Sequence, residues 1–237
     1  MGRAFEFRKT RKMKRWSSMA KNFTRMGKDI VLAVKDGGSD PNNNSRLRAL
    51  IQNAKSINMP KENIERAIKK ASDKKNINFK EILLEGYAPY GIAVLVEAAT
   101  NNNNRTVANI RSYFNKHNGN LGTSGSVEFQ FDYTCNFKIS SKGINLEKVE
   151  LELIDSGLED FLLDKDSVIL LAPFVSFGLI QKELEKRSIK ILSSGFDRIP
   201  KIRKKLKKKE EDEVMNLIEK IEGDEDVQNV YHALDVL

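Results

Sequence analysis

The apolar residues of this chain change period near residue 76. Before that point they recur every three or four positions, the spacing of amphipathic helices. Phe23, Met26, Ile30 and Val34 predict a helix capped by Ser17 or Ser18 and stopped by Gly37 and Gly38. A basic arm over residues 1–16 precedes it, interrupted by Phe5, Phe7 and Trp16. Residues 39–44 read as a loop, and Leu47, Leu50, Ile51 and Ala54 predict a second helix. A third opens at Pro60 and buries Ile64, Ala67, Ile68 and Ala71, with Glu62–Arg66 and Glu65–Lys69 pairs outside. Three such short stripes cannot each be buried alone, so the helices should form a bundle.

Beyond residue 76 the period shortens. Residues 80–85 and 91–99 predict strands joined by a turn over 86–90, and the almost wholly apolar run 92–96 predicts a strand covered on both faces. Val107, Ile110 and Phe114 mark a helix, and the alternation Val127, Phe129, Phe131, Tyr133 a half-buried strand. A similar plan follows: a helix over Leu146, Val149 and Leu153, strands at 158–163 and 167–172, a helix through Phe177, Ile180 and Leu184, and a strand at 190–196. A helix at Val214, Leu217, Ile218 and Ile221 and a strand at 227–232 end the pattern. These last elements need a sheet to join, which makes the intervening segment an insertion. The expected organisation is a basic arm and helical bundle at 1–76, an α+β domain from 77–135 plus 201–237, and an inserted α+β domain at 136–200. The fold class is multidomain, α and α+β.

Charge sharpens the division. Residues 1–76 hold 20 Lys/Arg against 7 Asp/Glu, while the remainder holds 21 against 26. A basic head on an acidic body predicts a polyanion partner for the head. The wealth of Lys, Asn and Ile offers codon bias as an alternative source of lysine, although bias would not leave residues 77–197 acidic. One cysteine, Cys135, excludes an internal disulfide, and no apolar run reaches membrane-spanning length. With no signal-peptide core either, the expected location is cytoplasmic, with no membrane partner.

The chemistry of an enzyme is hard to assemble from these residues. His117 and His232 lack the paired spacing of a zinc site, and Cys135 ends an alternating strand where a small buried hydrophobe is usual. No phosphate-binding glycine loop occurs. The expectation is a non-enzyme without metal or cofactor. Gly119-Asn120-Leu121-Gly122 has the spacing of an RNA clamp but falls between a helix and a strand, which favours a plain turn. The candidate nucleic-acid-binding residues are therefore those of the head. They are Arg11, Lys12, Lys14, Arg15 and Trp16 in the arm, Lys21, Arg25 and Lys28 on the first helix, Arg46 and Arg48 on the second, and Lys69 and Lys70 on the third. Lysine and arginine neutralise phosphates without reading bases. Trp16 either stacks on a base or anchors the arm, and lysines ending a helix also suit its dipole.

Several segments together resemble the YebC/PmpR family. They are Lys35-Asp36-Gly37-Gly38-Ser39-Asp40-Pro41, Arg46-Leu47-Arg48, Asn58-Met59-Pro60-Lys61-Glu62-Asn63-Ile64-Glu65-Arg66-Ala67-Ile68, Glu85-Gly86-Tyr87-Ala88-Pro89-Tyr90-Gly91, Asn104-Arg105-Thr106, Gly119-Asn120-Leu121-Gly122 and Asp226-Val227-Gln228-Asn229-Val230-Tyr231-His232. The resemblance spans essentially the whole chain. It implies an all-α head and two related ferredoxin-like α+β domains, the third inserted in the second, in a cytosolic bacterial protein. It further implies a probable DNA-binding transcriptional regulator. The same family includes a mitochondrial translational activator and members acting at the ribosome, so ribosomal RNA or tRNA is the alternative partner. The acidic α+β domains leave a ribosomal or other protein partner open. Two segments depart from the family. Residues 2–9 replace its usual opening, and residues 198–209, commonly more acidic there, hold eight Lys/Arg and no acid. That block is either a second polyanion contact or a solvated linker.

Overall fold

The computed structural model describes residues 3–72, 79–164 and 166–235, with side chains described for 20–71, 79–164 and 166–235. Two compact units divide the chain, residues 1–79 and 80–237.

In the first unit, α1 (Arg3–Gly37) is one helix of 35 residues, about 52 Å long. The expected arm and Ser17 or Ser18 cap are replaced by continuous helix. No Gly or Pro interrupts residues 3–26, and Arg, Lys, Met and Ala favour helix. α2 (Ser45–Ser56) and α3 (Lys61–Ser72) pack on its C-terminal half. The core holds Ile30, Val31, Ala33 and Val34 of α1, Leu47 and Ala54 of α2, and Ile64 and Ala67 of α3. Pro60 precedes the third helix rather than occupying its first turn, and its carbonyl accepts from Asn63 and Ile64.

Asn44 sets the joint between α1 and α2. Its side chain accepts from the Leu47 N–H at 2.9 Å, capping α2. Its amide donates to the carbonyls of Ala33 at 2.7 Å and Gly38 at 2.9 Å. A Cβ at Gly37 would lie 2.7 Å from that amide, and Gly38 turns the chain at φ +85°. These contacts account for both glycines of the segment 35–41.

The second unit contains two four-stranded antiparallel sheets. β1 (Lys80–Ala88) and β2 (Ile92–Thr100) form a hairpin, followed by α4 (Asn103–Lys116) and the two-residue β3 (Asn120–Leu121). β4 (Phe131–Ser140), α5 (Leu146–Ile154), β5 (Asp160–Asp164), β6 (Ser167–Pro173), α6 (Phe177–Lys186) and β7 (Ile191–Pro200) come next, and α7 (Lys208–Glu222) and β8 (Val227–His232) end the series. The first sheet runs β3-β1-β2-β8 and the second β5-β6-β4-β7. The second follows the split β-α-β plan of ferredoxin-like folds. The first has the same count of strands and helices but opens on a hairpin.

β2 is buried along both faces. Ile92, Val94 and Val96 pack with Ile110 and Phe114 of α4 and with Val214, Leu217, Ile218 and Ile221 of α7. Ala93 and Leu95 pack on the other side with Val127, Phe131 and Ala233. The strand expected over 127–133 is different in the structure. Residues Glu128–Gln130 form a 3-10 turn, and β4 begins at Phe131 inside the second sheet, across the expected 135/136 boundary. Glu85 is the cause. Its carboxylate is buried and accepts from the backbone N–H groups of Gly125 at 2.6 Å and of Val127 and Glu128 at 2.7 Å. The turn buries Val127 and Phe131 and turns Phe129 outward.

A second carboxylate ties the C-terminal turn to α4. Asp226, also buried, accepts from Thr106 Oγ1 at 2.8 Å, Thr100 Oγ1 at 3.2 Å and Arg105 Nη2 at 2.7 Å. Gly119 and Gly122 belong to a packed turn, where a Cβ at Gly119 would approach the Tyr87 carbonyl to 2.8 Å. The plain-turn reading of that motif thus has a packing cause.

Burial alone would raise the Glu85 pKa, but the three N–H donors and nearby Arg198 hold it below its ordinary 4.5. Its stabilisation is therefore present above the unfolded carboxylate range and lost as pH falls through the depressed value. Glu85→Ala should lower stability by about 3 kcal/mol in urea unfolding at neutral pH, and the deficit should shrink at the acid end.

Candidate nucleic-acid interface

Helical spacing places Lys21, Arg25 and Lys28 three or four residues apart on α1, and Arg66 and Lys70 four apart on α3. A groove of about 330 Å³ lies between these helices. Lys28, Arg66 and Lys70 line it, with Asn63 beside them and Phe23, Met59 and Phe79 among its apolar walls. The Lys28 ammonium lies 5.3 Å from the centre of the Phe79 ring, a cation–π distance. Gly27 also lines the groove, and a Cβ there would meet nothing within 4 Å. A larger residue would fill the space that glycine leaves.

Surface charge on α3 differs from the expected pairing. Glu65 pairs with Lys61 at 3.5 Å instead of with Lys69. Among the described residues Arg66, Lys69, Lys70 and Lys21 make no ion pair, and all four are exposed. Their charge is available to solvent or to a ligand.

The candidates separate by location. Lys28 and Lys70 reach the groove; Lys21 and Arg25 continue the same helix before it; Lys69 is exposed outside it. Arg46 and Arg48 hold the loop after α1. Arg46 pairs with Asp36 at 3.0 Å, and Arg48 donates to the carbonyls of Pro41 at 2.8 Å and Asn42 at 3.3 Å. The backbones of Arg11, Lys12, Lys14, Arg15 and Trp16 belong to α1, but their side chains lie outside the described residues. Arg66, Asn63 and Phe79 were not among the candidates. The four-residue step from Arg66 to Lys70 was a visible signal for the first.

Elsewhere the cysteine is enclosed and both histidines are half-buried. Cys135 is fully buried, which pushes its thiol up to about 11, so little thiolate forms near neutrality. Burial lowers the His232 pKa. Among the described residues no group of three His, Cys, Asp or Glu is placed to hold a metal ion. Among them, too, no helix is long and apolar enough to cross a membrane.

Residues 3–74 match the family model of the TACO1/YebC protein N-terminal domain, and residues 79–234 that of the TACO1/YebC second and third domain. The chain belongs to the TACO1/YebC family. A probable transcriptional regulatory protein of Flavobacterium psychrophilum is 68% identical over 234 residues, covering 99% of each chain. One from Myxococcus xanthus is 44% identical over 239 residues, covering 99% of this chain and all of that one. The crystal structure of a conserved hypothetical protein from Aquifex aeolicus matches with a TM-score of 0.78 at 34% identity, covering 91% of this chain and 90% of that one. The two family models divide the TACO1/YebC chain near the same place as its two compact units.

Gly27 lies inside a helix with open space at its Cβ position. Gly27→Ala should therefore stabilise the head by about 1 kcal/mol, read as a higher urea midpoint.

Proposed function

We propose that this chain is a non-enzymatic, nucleic-acid-binding regulator of gene expression, acting on DNA in transcription through its head. The observation that carries this reading is the Lys28, Arg66 and Lys70 groove, continued along α1 by Arg25 and Lys21. Such an arrangement favours phosphate contacts, whose affinity falls steeply with salt. The names of the relatives as probable transcriptional regulatory proteins support transcription as the setting. The place of action is the cytoplasm. The residues assigned to nucleic-acid contact are Lys21, Arg25, Lys28, Lys69 and Lys70, now with Arg66. The assignment also keeps Arg11, Lys12, Lys14, Arg15 and Trp16 as contacts. Arg46 and Arg48 support the surface by fixing the loop.

A second reading, ribosome-associated translation control through ribosomal RNA or tRNA, draws support from the walls of the groove. Phe23, Met59 and Phe79 offer apolar surface beside the cations, which suits an unstacked base better than a closed duplex. The two readings share one surface and differ in the polymer that occupies it.

Reversing Lys21, Arg25 and Lys28 to Glu should weaken binding to a labelled DNA duplex and reduce the log–log salt slope by about 0.9 for each phosphate no longer neutralised. Circular dichroism should remain that of the parent. An unchanged slope would move the interface off α1. Sedimentation of a native extract separates the two settings. Salt-sensitive migration with ribosomal particles selects translation, whereas promoter binding above scrambled duplex, without such migration, selects transcription.

A further inference from the structure

Residues 201–209 carry seven Lys/Arg and no acid. The linker reading expected a solvated segment, but this one is held at four points. The Lys201 N–H donates to the Gln130 carbonyl at 2.9 Å, and the Lys204 N–H to the Ala233 carbonyl at 2.8 Å. Leu206 packs against the core formed by β2, α4 and α7, and the Lys207 N–H donates to the Glu210 carboxylate at 3.1 Å.

The neighbouring acids are already engaged. Asp132 pairs with Lys201 at 3.5 Å, and Glu211 and Asp212 both take the Lys208 ammonium, at 2.9 and 3.1 Å. Glu213 accepts the Tyr90 hydroxyl at 2.6 Å. Among the described residues Lys205, Lys207 and Lys209 make no ion pair, and all three are exposed. Like charges fixed close together repel, and a polyanion relieves that repulsion while releasing its own counterions.

Two large apolar side chains flank the bond that begins the strap. Phe129 is 65% exposed and Ile202 82% exposed. They sit on the two segments joined by the Lys201–Gln130 bond. A protruding aromatic ring on one segment, bonded through the backbone to a strap that carries unpaired lysines, is the combination that serves single strands, with cations on the backbone and a ring under a base.

We propose that the strap at 201–209, together with Phe129, is a second nucleic-acid contact, on the α+β body, that takes a single-stranded segment. Lys205, Lys207 and Lys209 neutralise phosphates, and Phe129 stacks on an unpaired base. This site rests on the nucleic-acid reading of the head and extends it to a polymer with an unpaired stretch. A duplex has no base free to meet Phe129 and would use the lysines alone.

The test is fluorescence anisotropy of the full chain with labelled oligouridylate RNA and, separately, a mixed-sequence DNA duplex over a range of salt. Lys205→Glu, Lys207→Glu and Lys209→Glu combined should lower the single-strand salt slope by about 2. Phe129→Ala should weaken single-strand binding roughly fivefold or more and leave duplex binding unchanged, while Phe129→Trp retains it. Unchanged melting temperatures establish that the variants fold. Wild-type slopes and affinities in both the lysine and the Phe129 variants, with weakened binding in the Lys21/Arg25/Lys28 variant, would overturn the strap and leave the head reading standing. Failure of the unaltered chain to bind either polymer at low salt would overturn both.

Discussion

Strand β2 must be covered on both faces, and the body is arranged around that need. Its even-numbered apolar residues meet α4 and α7, and its odd-numbered ones meet Val127, Phe131 and Ala233. A strand apolar at every residue from 92 to 96 exposes a wide surface unless two separate layers reach it. The second layer comes from the turn that Glu85 pulls into place with three backbone hydrogen bonds. At the far end of the strand, Glu97 accepts from Arg198 of β7 at 2.9 Å and from Asn229 and Tyr231 of β8 at 3.1 Å. Arg198 also reaches Glu128 and lies 4.3 Å from the Tyr133 ring centre. One arginine of the basic block thus joins the two sheets, while Lys205, Lys207 and Lys209 face solvent.

In the head, the same division between structural and available cations appears. Arg46 and Arg48 secure the loop that Asn44 and the paired glycines define. Arg66 and Lys70 instead line the open groove over Gly27. Residue type does not distinguish the two groups. What separates them is whether a carbonyl or carboxylate of the chain itself stands within reach.

Much of the architecture was legible because apolar period reports burial directly. The helix stripes at Ile30 and Val34 or at Ile64 and Ala67, the doubly covered run at 92–96, and the last strand at 227–232 all followed from spacing. The turn at 128–130 did not, because Val127, Phe129, Phe131 and Tyr133 alternate as a strand would. Only a distant carboxylate, forty or so residues back in the chain, bends the backbone there. The unbroken α1 was hidden for another reason: a basic stretch and two serines suggested a cap, yet nothing in the sequence forbade continuation. In the candidate site, charge pointed to the head but could not separate Arg46, held by Asp36, from Arg66, which lines the groove. Such distinctions depend on which carboxylates end up nearby, and that is a tertiary fact.

The pairing of β2 with β8 sets an order on synthesis. Tyr231 and Glu97 are 134 residues apart in sequence yet share a hydrogen bond. As the polypeptide emerges from a ribosome, β1, β2 and α4 are made early, but the edge of β2 waits for a strand produced near the end. The entire second sheet is made in the interval and can form from its own contiguous strands. Closing so long a loop is slow, and an unpaired apolar edge invites association meanwhile. The strands of the later sheet are therefore all present in the nascent body before the earlier sheet can be closed.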